Sequence, residues 1–69
     1  MSANTVLEDW QGRVLAERCE MEVKLYDLNT FMRTRDFSAL SSGDKSDLAS
    51  QKEAMINYVI ALTKRISNF

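Results

Sequence analysis

Leu48 to Phe69 reads LASQKEAMINYVIALTKRISNF. Leu48, Lys52, Met55, Val59, Leu62, Ile66 and Phe69 follow one another at steps of 4, 3, 4, 3, 4 and 3. That spacing is one helical face with a mean period of about 3.5 residues. All but Lys52 are apolar. Beside this stripe runs a second row, Ile56, Ile60 and Thr63, and Tyr58 and Ala61 widen the arc. A helix that touches a single neighbour carries a narrower stripe. This one is expected to bury two sides, one against another helix of the same chain and one against other copies of it.

Outward from this stretch, the chain of 69 residues is expected to form one domain, 1–69. A chain this short has little apolar area to bury, so folds of this size lean on disulfides, metals or self-association. Cys19 is the only cysteine and histidine is absent. An intrachain disulfide is therefore impossible and a protein zinc site is not expected. Self-association is left as the source of further burial. The lone thiol fits a reducing compartment.

The net charge of −1 lacks the basic excess of a general DNA or RNA binder. It leaves room for a small anionic ligand held by a few local arginines. The start, MSANTVLEDWQG, has neither a basic n-region nor an apolar run, so no signal peptide is expected. The longest apolar run, Tyr58 to Leu62, is too short to span a membrane. These features predict a soluble intracellular protein. The absence of proline, with heptad-like apolar spacing and mixed charge, predicts an all-α chain.

The first helix is expected over about residues 5–34. Thr5 to Glu8 has the S/T-x-x-E form of a capping box. The apolar positions Leu7, Trp10, Val14, Met21, Leu25, Leu28, Phe31 and Met32 share a face, with one gap of seven between Val14 and Met21. Gly12 interrupts helix-forming sequence at a cost of about 1 kcal/mol relative to alanine. It reads either as a tolerated surface residue or as a bend or close backbone approach. Arg33 and Arg35 suit the negative end of the helix. Asp36 to Gly43, DFSALSSG, forms the turn, with Asp36 capping a short segment and Ser41 or Ser42 starting a second helix over about 42–67. So short a connection makes the helices antiparallel neighbours. The expected fold is an antiparallel two-helix hairpin that assembles into a homo-oligomer.

Catalytic machinery is not readable. There is no histidine base, no glycine-rich phosphate loop and no metal-ligand cluster, and the carboxylate pairs Glu8/Asp9 and Glu20/Glu22 read as solvated helix charges. A binding or structural protein without cofactor or metal is expected, rather than an enzyme.

Three polar groups stand in apolar surroundings. Arg18, with Gln11 seven residues before it, falls in the gap of the first stripe, a place it shares with Glu17. Lys52 lies on the stripe of the second helix. The edge Gln51, Met55, Tyr58 continues to Lys64 and Arg65. Phosphates are held by arginine forks or lysine point charges, and nucleobases stack on flat aromatic or guanidinium surfaces. The candidate ligand-binding residues are Arg18, Lys52, Tyr58 and Arg65, followed by Trp10 and Arg33. Each also has a plain structural reading. Arg18 can lay its stem on the core and send its head to water. Tyr58 suits an interface with its hydroxyl at the rim, and Lys64 and Arg65 suit a helix C-terminus.

Leu28, Phe31, Phe37 and Leu40 precede the turn. Leu48, Gln51, Met55, Tyr58, Leu62, Arg65 and Ile66 follow it in the form L-x2-Q-x3-M-x2-Y-x3-L-x2-R-I. Over about residues 13–66 this pattern resembles a family of small phage helical-hairpin proteins. That family is similar to the hairpin domain of the phage sponges that capture immune signals of the CBASS or Thoeris type. The resemblance implies an oligomeric, non-enzymatic protein in the host cytoplasm. It would hold a cyclic oligonucleotide or a cyclic ADP-ribose isomer in pockets between subunits, with no DNA, RNA or membrane partner. Two other readings stand beside it. In one, the broad face of the second helix docks on a host or phage protein, as an inhibitor or assembly factor. In the other, the chain is a coiled-coil piece of a virion.

Overall fold

The computed structural model describes residues 7–69. It contains α1 (Asp9–Phe31), the one-turn helix α2 (Arg35–Ser38) and α3 (Ser42–Ser67). Among the described residues there is no strand. α1 packs along α3. Trp10 near the start of α1 meets Phe69 just past the end of α3, so the two long helices form an antiparallel hairpin.

The bounds of α3 agree with the sequence reading at both ends. Ser41 is extended and its hydroxyl oxygen accepts the backbone N–H of Asp44 at 3.1 Å. Asp44 lies in the first turn and Lys64 and Arg65 in the last, each at the end of the helix dipole that favours its charge. Ser41→Ala is expected to cost about 1 kcal/mol, the usual worth of a serine N-cap. A urea titration followed by circular dichroism measures this, and Ser42→Ala should leave the midpoint nearly in place.

α1 is shorter than the expected 5–34. Thr5 lies outside the described residues, and the helix starts at Asp9 after an extended Glu8. Here the Oε1 of Gln11 accepts the backbone N–H of Glu8 at 2.8 Å, so glutamine at the third helical position supplies the reciprocal half of a capping box. Leu7 therefore precedes the helix and does not belong to its face. At the other end the helix stops at Phe31 because Thr34 is extended. The Thr34 hydroxyl donates to the Phe31 carbonyl at 2.6 Å and accepts the N–H of Phe37 at 3.2 Å. One side chain thus closes α1 and caps α2, the role expected of Asp36. Phe31 and Phe37 then meet edge to face at 6.1 Å, and the Lys45 ammonium stands 5.9 Å from the Phe37 ring centroid. These contacts shut the turn end of the hairpin.

The stripe of α3 faces α1. Lys52, Leu48, Met55, Val59 and Ile66 are half-buried and Leu62 is 1% exposed. On α1, Val14 is buried, and Met21, Leu25, Leu28 and Met32 are half-buried. Val14 and Leu62 are the only fully buried side chains among the described residues. The second row of α3 is left open. Its Ile56 and Ile60 remain exposed, and so does Tyr58 on the opposite edge of the stripe, although each carries a large apolar surface. Of the two sides that α3 was expected to bury, the hairpin covers one.

Candidate functional site

The gap in the stripe of α1 is filled by two residues that turn to opposite sides. Glu17 accepts a hydrogen bond from the Tyr58 hydroxyl, the one side chain to side chain hydrogen bond between α1 and α3 among the described residues. Arg18 is half-buried, with its Nε 3.7 Å from a carboxylate oxygen of Glu22, one turn further on. That ion pair is long, and the side chains keep 33% and 56% of their surface exposed, so it contributes little to stability. It holds the guanidinium loosely beside the core, the arrangement of stem on the core and head near water.

The Glu17–Tyr58 bond marks one side of the hairpin. Arg65, seven residues after Tyr58, falls on that same side, about 10 Å further along α3. Helical register places Arg18 and Lys52 together on the other side, roughly 8 Å apart along the hairpin axis. Lys52 is half-buried and makes no ion pair among the described residues. By spacing it lies on the same side of α3 as Ile56 and Ile60, and without an ion pair it is available to an anion.

Trp10 and Arg33 sit at opposite ends. The Trp10 ring meets Phe69 edge to face, with centroids 5.3 Å apart, and keeps 46% of its surface exposed. Arg33 follows Met32, the last residue of the α1 cap, and is exposed. The two are separated by nearly the whole of α1, about 31 Å from Trp10 to Phe31. One chain therefore brings its six candidate residues into two pairs and two outliers, not into one pocket. Gln11, paired with Arg18 by spacing, is engaged as the helix cap.

Among the described residues no group of acidic or cysteine side chains is placed to hold a metal ion. No helix among them is long and apolar enough to cross a membrane. Cys19 is exposed on α1.

Spacing alone makes the Arg18–Glu22 pair legible, since residues four apart on a helix are neighbours. The Glu17–Tyr58 bond is not legible in that way, because 41 residues separate the two. Tyr58→Phe removes the donor and is expected to lower stability by about 1 kcal/mol. The check is a chemical denaturation series in which Glu17→Gln, which retains an acceptor, loses less than Tyr58→Phe.

A family model, Sequestin, matches residues 8–68. The chain belongs to the Sequestin family. The match spans α1, the turn and α3, so it covers the whole hairpin and every candidate residue described above. The name of the Sequestin family speaks of sequestering, which is a binding role rather than a catalytic one. No curated protein and no solved structure matches the chain.

Proposed function

We propose that this protein is a phage-encoded, non-enzymatic sponge. It assembles as a homo-oligomer and sequesters a cyclic nucleotide immune signal, of the CBASS or Thoeris type, in pockets between subunits. Membership of the Sequestin family over residues 8–68 is the observation that carries this reading. The arrangement of the hairpin supports it. A cyclic nucleotide needs cations for its phosphates and flat or apolar surface for its bases. Arg18 and Lys52 stand on one side of the hairpin beside the open row of Ile56 and Ile60, and Tyr58 and Arg65 stand on the other. A second chain laid against either side would close a pocket lined by both kinds of surface, with Trp10 and Arg33 reaching it from the ends of neighbouring copies. The Arg18–Glu22 pair is weak enough for a phosphate to displace the carboxylate.

The test is calorimetric titration of the full chain with cyclic di- and trinucleotides and cyclic ADP-ribose isomers, with the oligomer mass measured on the same sample. Saturable binding of one class is expected, and denaturation should return the ligand chemically intact. Degraded ligand would point to catalysis, and a folded oligomer silent to every member of the panel would refute the sponge.

The open row on α3 favours a second reading, in which Ile56 and Ile60 dock on a host or phage protein. A monomer that keeps this row exposed in solution, and binds no nucleotide, would support that reading over the first.

A further inference from the structure

α1 has a second face that the hairpin does not use. At about 100° per residue, Gly12, Ala16, Cys19, Val23, Tyr26 and Thr30 fall within an arc of roughly 80°, nearly opposite Val14. All six are exposed, and Val23 and Tyr26 keep 55% and 71% of their surface open. Ala16, Cys19, Glu20, Val23 and Lys24 line an open groove of about 550 Å³ along this face. A Cβ added at Gly12 would meet nothing within 4 Å, so nothing inside the hairpin calls for a glycine there.

We propose that this face of α1 pairs antiparallel with α1 of a second copy of the chain, about a two-fold axis level with Met21. In that register Gly12 lies opposite the partner's Thr30, Ala16 opposite the partner's Tyr26 and Cys19 opposite the partner's Val23. Every layer sets a small side chain against a larger one, and the groove beside Ala16 takes the partner's Tyr26 ring. The charges at the rim agree with the same register. Arg13 falls on the same rim as the partner's Asp27, and Glu20 on the same rim as the partner's Lys24, each pair about 3 Å from level and within reach of the long basic side chain, and the symmetry makes each pair twice. Glu22, on the other rim, already has Arg18 as its own counter-charge. A parallel pairing would set Tyr26 on Tyr26 and Gly12 on Gly12, crowding one layer and emptying another. Both occupants carry the same surface, as a two-fold interface requires.

This pairing goes beyond the sponge reading and needs no ligand, so either can fail while the other stands. The two thiol positions of adjacent layers provide the test. Wild-type chain, with its thiol at Cys19, is mixed with equal Cys19→Ala/Val23→Cys chain and oxidised with oxidised glutathione. A covalent dimer containing one of each is expected by mass spectrometry. Neither chain alone should cross-link efficiently, because the like thiols of an antiparallel pair are offset by about 6 Å along the axis. In parallel, Val23→Glu, at a position exposed in the hairpin, should halve the solution mass while helicity is retained. Preferential Cys19–Cys19 dimers of the wild type would overturn the register. A mixture that yields no hetero-dimer, or a mass unchanged in Val23→Glu, would overturn the interface, and dissociation by Ile60→Glu instead would place self-association on α3.

Discussion

Leu62→Ala is expected to destabilise the hairpin by about 2–5 kcal/mol, the range for truncating a buried leucine. A domain of this length typically has only about 3–10 kcal/mol of stability, so most of it would be lost. Leu62 is 1% exposed, and among the described residues only Val14 is comparably enclosed. The remaining stripe residues are half-buried, and each loses less water contact on folding. A urea titration followed by circular dichroism, repeated at several protein concentrations, reads the effect. Ile60→Ala is the control, because Ile60 keeps 48% of its surface exposed within the chain. Equal shifts for the two variants at the lowest concentration would show that burial against α1 is not what holds the hairpin together.

Replacement of Arg18, Lys52 or Arg65 by alanine is expected to weaken binding of the cyclic nucleotide by roughly 10- to 140-fold each. That range follows from about 1.5–3 kcal/mol for a hydrogen bond to a charged group, at about 1.4 kcal/mol per tenfold. Lys52 should show its effect with little loss of stability, since its ammonium has no ion-pair partner among the described residues. Titration calorimetry on each variant, with the oligomer mass checked on the same sample, measures it. Three variants that keep both their mass and the wild-type affinity would remove this site assignment, and the search would move to Trp10, Tyr58 and Arg33. A second signature is salt. Affinity carried by phosphate contacts falls as ionic strength rises, because exposed charges are screened within about 10 Å at 0.1 M.

Local rules were enough to read α3. Its stripe, the Ser41 cap and the basic last turn are all set by residues within four positions of one another, and both ends fall where they were expected. The ends of α1 were harder to read. Thr5 was expected as the first cap and Asp36 as the cap of the short segment, whereas α1 starts after Glu8 and Thr34 caps α2. Thr34 prevails because its one hydroxyl serves Phe31 and Phe37 together, a geometry that exists only once the chain has turned. The gap in the stripe of α1 was visible as a place for a polar residue. Spacing did not say that two residues share it.

For the candidate residues, periodicity put Lys52 on the face toward α1 and Arg18 at the edge of that face, and the burial of both agrees. The division of the set into Arg18 with Lys52 and Tyr58 with Arg65 depends on which side of the hairpin each helix presents. The Glu17–Tyr58 bond shows that side. By itself, then, the sequence determined an all-α chain, the two long helices, their antiparallel order and the stripe that joins them, because helix periodicity and short-loop geometry are local. Tertiary structure alone decided which carboxylate Tyr58 meets, and that one face of α1 and one row of α3 stay uncovered. Those outcomes depend on the rotation of two helices about their axes, and that angle is set by side chains dozens of residues apart packing together.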